Sequence, residues 1–125
     1  MSLRWTINSR ERLFTAVAEG NVSRSDIELC LDAMAGSGAM AYRKLFDGTR
    51  GDTSMTADEL LEVGVRMRAF HAQGPMGPLA VIVPIEKGEM VARILGILAA
   101  ADRPMRIFST VRPAQRWLES VKPPG

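Results

Sequence analysis

The stretch that decides the fold reads Lys44-Leu-Phe-Asp-Gly-Thr-Arg-Gly-Asp-Thr-Ser-Met-Thr56. Its apolar start predicts a short central strand that ends at Asp47, and its glycine-containing polar part predicts a loop from Gly48 to Met55. In a parallel sheet, ligands and regulatory groups occupy the crevice beyond the carboxyl ends of the strands. We therefore expect the working surface of this protein to lie on this loop.

A helix is predicted directly after the loop. Thr56 and Glu59 have the spacing of a capping box, in which each side chain bonds to the backbone N–H of the other residue. A glycine- and proline-rich run from Gln73 to Pro78 ends the helix. Apolar residues at helical spacing form the stripe that we expect to be buried, namely Leu60, Val63, Met67 and Phe70.

The N-terminal part of the chain predicts a β-hairpin. Strands are expected at Arg4–Ile7 and at Leu13–Ala18, with Gly20-Asn21 ending the second strand. Because side chains alternate along a strand, the second strand has one face formed by Leu13, Thr15 and Val17 and another formed by Phe14, Ala16 and Ala18.

A helix follows the hairpin. Ser23 and Asp26 form a second capping box, and the apolar stripe behind it contains Ile27, Cys30, Leu31 and Met34. Its position on this stripe predicts that Cys30 is a core residue rather than a reactive thiol.

The C-terminal part of the chain predicts two more strands and two more helices. The run 79–83 is almost continuously apolar, which is typical of a strand buried on both faces. Helix 89–101 carries more than one apolar stripe, so we expect it to be deeply buried or to form a subunit interface. The last strand is expected at 105–108 and is followed by a helix. Thr110 is expected to cap this helix, and Trp117 and Leu118 are expected to pack it against the rest of the protein.

The resulting pattern, ββαβαβαβα, predicts a single α/β domain over residues 1–125. We expect one mixed, mostly parallel sheet of about five strands with four helices and right-handed crossovers.

Composition excludes several classes of function. The net charge of +2 is spread in both signs along the chain, without a run of basic residues, which argues against a nucleic-acid surface. No segment approaches the ~20 consecutive apolar residues of a membrane span. The single cysteine excludes an intrachain disulfide and fits a cytoplasmic protein.

The chain shows no motif of a known catalytic or metal site. His71 is the only histidine, and no nucleophile elbow, zinc spacing, phosphate-binding loop or paired-carboxylate signature is present. We therefore expect no catalytic residues, no metal and no cofactor, and we expect that the protein is not an enzyme.

The candidate site is an anion-binding or switch loop. Hydroxyl groups at a helix N-terminus can hold an anion or carry a phosphate, although Thr56 can also serve simply as the helix cap. Two arginines near strand-to-helix junctions could clamp a phosphate, or could form salt bridges to Asp47 or Glu89 instead. The candidate residues are Asp47, Thr49, Arg50, Thr53, Ser54, Thr56 and Arg93.

Four segments in this order resemble the SpoIIAA-like proteins, relatives of the STAS domains of anti-sigma-factor antagonists and anion transporters. The central strand ends in Leu45-Phe-Asp-Gly-Thr-Arg50, similar to the Leu-x-Asp-x-x-Arg ending of that family. The other three segments are Leu13–Gly20 with its capped helix, Ala80–Pro84 with Gly88 and Ala92-Arg93, and Phe108 with Ala114 and Trp117-Leu118. The resemblance spans nearly the whole chain and implies a βα superhelix.

Bacterial STAS antagonists are switched by phosphorylation of a Ser or Thr at the corresponding helix N-terminus, in a sequence close to Asp-Ser-Ser/Thr-Gly-Leu. This chain has Asp52-Thr-Ser-Met-Thr56, which keeps the hydroxyls but lacks the Gly-Leu pair. The resemblance implies a non-catalytic, bacterial regulatory or protein-interaction domain with a regulatory protein partner. We also expect a homodimer through helix 89–101.

An alternative is a module that binds a small apolar ligand or a lipid. It is favoured by the eight methionines and by the broad apolar helix 89–101, since methionine lines adaptable apolar sites. In some groupings the SpoIIAA-like proteins also share a superfamily with Sec14-type lipid-binding modules.

Overall fold

The structure is a computed structural model that describes residues 2–89 and 104–121. Two strands open the chain and a βα alternation follows. The elements are β1 (Leu3–Asn8), β2 (Leu13–Asn21), α1 (Arg24–Gly36), β3 (Arg43–Asp52), α2 (Ala57–Gln73), β4 (Leu79–Ile82), α3 (described over 85–89), β5 (Met105–Phe108) and α4 (Val111–Ser120).

The five strands of the described residues form one mixed sheet in the order β1-β2-β3-β4-β5. β1 is antiparallel to β2, and every other neighbouring pair is parallel. In the centre, Lys44 lies opposite Leu79 and Asp47 opposite Ile82, so β3 and β4 are inner, parallel neighbours. The mostly parallel α/β sheet predicted from the sequence is confirmed.

The two faces of the sheet bury different apolar clusters. The alternation predicted for β2 is confirmed, because Phe14, Ala16 and Ala18 are all buried. They pack with Cys30 of α1 and Phe70 of α2 on the first face of the sheet. On the second face, α4 inserts Ala114 and Leu118 against Leu45, Ala80 and Ile82.

Two of the three predicted helix caps form as expected. The Ser23 hydroxyl accepts from the Asp26 N–H at 3.2 Å, and the Asp26 carboxylate accepts from the Ser23 N–H at 2.9 Å. The equivalent box at Thr56 and Glu59 has both bonds at 3.2 Å. Thr110 occupies the N-cap position of α4, but its side chain makes no capping bond.

Cys30 is a core residue, as its position predicts. The thiol is free and buried, and desolvation raises its pKa to about 11. A thiol with so high a pKa is almost entirely protonated near neutral pH, so it is a poor nucleophile.

The predicted ends of two strands are wrong. β2 continues through Gly20 to Asn21, and β3 continues to Asp52 instead of ending at Asp47. Val17 lies opposite Asp47 but Glu19 lies opposite Arg50, so β3 holds one extra residue there, a β-bulge. Beyond the bulge the two strands pair again up to Asn21 and Asp52, which local sequence signals do not reveal.

α3 is already helical from 85, whereas the sequence predicts a helix that begins at 89. The rest of the predicted helix 89–101, and with it the expected subunit interface, lies outside the described residues except at Glu89. The side chains of Leu60 and His71 lie outside them as well.

Candidate functional site

The candidate site lies where β3 passes into α2, and we call residues 47–56 the β3–α2 segment. Asp47 belongs to β3, as predicted, and so do Thr49 and Arg50, contrary to the predicted loop. Thr53 and Ser54 lie in the short connection to α2, ahead of Thr56, the residue before the helix. Arg93, the remaining candidate, lies outside the described residues.

The Asp47 carboxylate accepts hydrogen bonds from a residue of its own strand. Its Oδ1 accepts hydrogen bonds from the Thr49 N–H at 3.0 Å and from the Thr49 hydroxyl at 2.6 Å. These bonds span the β-bulge and stabilise it. Asp47 forms no salt bridge to Arg50, and the described residues contain no cluster of three or more His, Cys, Asp or Glu side chains placed to hold a metal.

Asp52 joins β3 to the start of α3. Its Oδ1 accepts from the Thr53 N–H at 2.8 Å and lies 3.6 Å from the Lys87 ammonium. The Thr53 N–H, followed by the charge of Lys87, lowers the pKa of this exposed carboxyl below its usual value. Asp52 is therefore held in its ionised form at neutral pH.

The connection after Asp52 is bonded to the end of β2. The Thr53 hydroxyl donates to the Val22 carbonyl at 2.7 Å and accepts from the Met55 N–H at 3.2 Å. The Ser54 N–H donates to the Asn21 side-chain carbonyl at 2.9 Å. The connection is thus anchored to the end of β2 by two residues outside the segment, Asn21 and Val22.

The hydroxyl groups of Thr53, Ser54 and Thr56 differ in their hydrogen bonding. Those of Thr53 and Thr56 are engaged by backbone groups, Thr56 as the helix cap. The Ser54 hydroxyl is exposed and makes no hydrogen bond to a described residue. Arg50 is exposed too, opposite Glu19 in register, and forms no ion pair within the described part of the chain.

Two residues that hold the site were missed in the sequence. Asn21 follows the core of β2, and Lys87 follows β4 by a few residues, so both belong to the carboxyl edge of the parallel strands. The rule that sites lie beyond the carboxyl ends of parallel strands, which pointed to the β3–α2 segment, also applies to these two residues.

The different uses of the hydroxyls give a stability prediction. We expect Thr53→Val to lower the free energy of unfolding by about 1–2 kcal/mol, because the Val22 carbonyl and the Met55 N–H lose their partner. Ser54→Ala is the matched control, one residue away, and we expect a change within about 0.5 kcal/mol. Urea denaturation followed by circular dichroism measures both. Equal effects of the two substitutions would contradict the hydrogen bonding described above.

Comparisons with known proteins identify the fold. No protein-family model matches the chain, and neither does a curated protein. Its structure is similar to the crystal structure of an uncharacterized protein of the DUF3478 family, with a SpoIIAA-like fold, from Shewanella loihica PV-4. The TM-score is 0.66 at 14% identity, with 94% of each chain covered. The SpoIIAA-like fold predicted from the sequence is therefore confirmed. Within the described residues, no helix has the length and apolar character needed to cross a membrane.

Proposed function

We propose that this chain is a non-catalytic regulatory domain of the STAS-like type that binds a protein partner through the β3–α2 segment. One observation carries the proposal. Asn21 and Val22 hydrogen-bond to the backbone of the segment, while the side chains of Arg50 and Ser54 are left exposed. A surface with a fixed backbone and exposed polar side chains loses little conformational entropy when a partner binds.

The use of the acidic and hydroxyl groups supports a binding role. The side chains of Asp47, Thr53 and Thr56 hydrogen-bond to nearby backbone groups, namely those of Thr49, Val22 and Glu59. The pKa of Asp52 is lowered, whereas a carboxyl that acts as a general acid at neutral pH needs a raised pKa. These groups shape the surface instead of converging on a reacting atom.

Arg50 is the residue that we expect to contribute most to partner binding. Its guanidinium can bind a carboxylate through two parallel hydrogen bonds, and no described acidic residue occupies it. The proposed partner therefore presents an acidic side chain to this position.

Ser54 is the proposed regulatory position. Among the three hydroxyls of the connection and cap, its group is the one without a bond to a described residue, so a kinase could reach it without breaking a cap. Asp52, Asp58 and Glu59 are close in sequence, so a phosphate would add to an acidic surface. Phosphorylation of Ser54 would then weaken binding of an acidic partner.

A matched pair of charge reversals tests the proposed function. Arg50→Glu reverses the charge at the segment, and Arg116→Glu reverses that of an exposed arginine on α4. Proteins retained from a lysate of the source organism by the wild type and by Arg116→Glu, but not by Arg50→Glu, are purified and titrated. We expect Arg50→Glu to weaken their binding about tenfold or more. The absence of any protein with this pattern would contradict the proposal.

Cytoplasmic location and a homodimer through 89–101 remain predictions from the sequence. The alternative function is the binding of a small apolar ligand or a lipid beside the predicted helix 89–101. This alternative also concerns residues outside the described part of the chain. The structure does contain a shallow groove of about 490 Å³ on β1 and β2. Its lining is part apolar and part polar, with Leu3, Trp5 and Val17 beside Arg4, Thr6 and Thr15.

A further inference from the structure

β1 forms one edge of the sheet, and no described strand pairs with its outer side. The Glu19 N–H donates to the Ser2 carbonyl at 2.7 Å, and partners in an antiparallel ladder alternate between bonded and non-bonded pairs. Ser2, Arg4, Thr6 and Asn8 therefore direct their backbone groups toward β2. The backbone groups of Leu3, Trp5 and Ile7 point outward, away from the sheet.

Apart from the charge of Arg4, this edge lacks the features that keep edge strands apart. Its six residues, Leu-Arg-Trp-Thr-Ile-Asn, contain no proline, glycine or lysine. The register with β2 is unbroken from Leu3 to Asn8, so no bulge bends the strand away. Ile7 is 38% exposed, whereas Leu3 is only 1% exposed, so the accessible part of the edge is the stretch from Trp5 to Asn8. Such an edge is a template for pairing with another strand.

We propose that β1 pairs with β1 of a second copy of this chain, antiparallel and centred on Thr6, to form one continuous sheet of ten strands. In an antiparallel two-fold pair, directly opposite residues lie on the same face. Trp5 then lies opposite Ile7 of the partner subunit, and both residues supply the outward N–H and C=O groups that bond across the interface. The centre is a pair of threonines, a favourable cross-strand combination.

The residues of the edge are compatible with a second copy as the occupant, because the strand can pair with itself without opposed like charges. Arg4 is the one charged residue of β1, and it is already paired with Glu19 at 2.5 Å. In the proposed register Arg4 lies opposite Asn8 of the partner subunit, so no like charges meet. The pairing is separate from the dimer expected through 89–101, since that range lies between β4 and β5 in the sequence, and these two strands are at the far end of the strand order from β1.

Cysteine cross-linking tests the pairing directly. In the proposed dimer the two Thr6 residues form a non-bonded pair with Cα atoms about 4.5 Å apart, within the range that a disulfide spans. Thr15 lies opposite Thr6 on β2, one strand further in, so two Thr15 residues would be about 14 Å apart and cannot be joined. We expect Thr6→Cys to form a disulfide-linked dimer on mild oxidation about tenfold or more faster than Thr15→Cys. Cys30, which is buried, is common to both variants.

The mass in solution gives the second measurement. We expect light scattering of the wild type at high micromolar concentration to give twice 13.7 kDa, and Ile7→Lys to weaken the dimer about tenfold or more. A wild type that stays at 13.7 kDa overturns the proposal. Equal cross-linking of Thr6→Cys and Thr15→Cys, or a dimer that Ile7→Lys leaves unchanged, also overturns it, and the last result would place the interface elsewhere.

Discussion

Gly77→Ala is expected to destabilise the protein by about 3–5 kcal/mol, the largest effect of a single substitution that we predict. A Cβ atom at Gly77 would lie 2.0 Å from the Tyr42 carbonyl oxygen and 2.6 Å from that of Ala41. Both contacts are with backbone, which cannot rotate away. The Gly77 N–H also donates to the Met40 carbonyl at 2.9 Å, so the two chain segments cannot separate without losing this bond.

The contact of Gly77 with Ala41 and Tyr42 lies where the two central strands, β3 and β4, begin. Next to Gly77, the Pro78 carbonyl accepts from the Lys44 N–H at 2.8 Å, where β3 and β4 begin to pair. The buried Lys44 side chain donates to the carbonyls of Met40 and Tyr42. An alanine at position 77 therefore disturbs the start of both strands.

Gly74→Ala is the control for this prediction. It lies just after α2, and a Cβ at that position would meet nothing within 4 Å. We expect its free energy of unfolding to stay within about 0.5 kcal/mol of the wild type. Urea denaturation of both variants makes the comparison. A Gly77→Ala protein as stable as Gly74→Ala would contradict the packing at the start of β3 and β4.

Gly51→Ala is expected to cost about 1–3 kcal/mol of stability. A Cβ at Gly51 would lie 2.6 Å from the Cβ of Ala18, a buried residue of β2. The clash exists because β3 continues beside β2 past the bulge. If the strand ended at Asp47, as the sequence predicts, Gly51 would lie in a loop with room for a methyl group.

Ala18→Gly supplies the matched test, because it removes the atom with which the new methyl group collides. Alone it is expected to cost about 1–2 kcal/mol, from the lost buried methyl group and the flexibility of glycine in a strand. In the double variant the two costs should be less than additive by about 1 kcal/mol or more. Strict additivity in a double-mutant cycle, measured by urea denaturation, would contradict the contact between the two strands.

Much of the fold could be predicted because its signals are local. The capping boxes at Ser23 and Thr56 each need only two residues at a fixed spacing, and both form. The apolar run at 79–82 marks an inner strand because a sheet covered on both faces buries every side chain of such a strand. Burial of Cys30 followed from its place on the apolar stripe of α1.

The end of β3 could not be predicted because its cause is non-local. Asp47 and Gly48 are typical turn residues, yet here Asp47 bonds to Thr49 and stabilises a bulge within the strand. The strand continues because β2 offers a partner up to Asn21, more than twenty residues earlier in the chain. Strand pairing of this kind depends on tertiary context more than on local propensity.

The hydrogen bonding of the candidate site could not be predicted either, because it also depends on tertiary contacts. The sequence locates the hydroxyls of Thr53, Ser54 and Thr56 at a helix N-terminus but does not say which are engaged. The Val22 carbonyl accepts a hydrogen bond from the Thr53 hydroxyl, and the Asn21 side-chain carbonyl accepts one from the Ser54 N–H. Only the arrangement of β2 beside β3 separates the structural hydroxyls from the exposed one.

Amide hydrogen exchange, followed by NMR on the full chain, tests the central claim that the β3–α2 segment is a preformed surface held by β2. The Val22 N–H donates to the Asp52 carbonyl at 2.8 Å, and the Ser54 N–H donates to the Asn21 side chain at 2.9 Å. We expect both amides to exchange more slowly than in an unstructured peptide, by about a hundredfold or more. Exchange of both at the unstructured rate would show a mobile loop after Asp47 and would contradict the account.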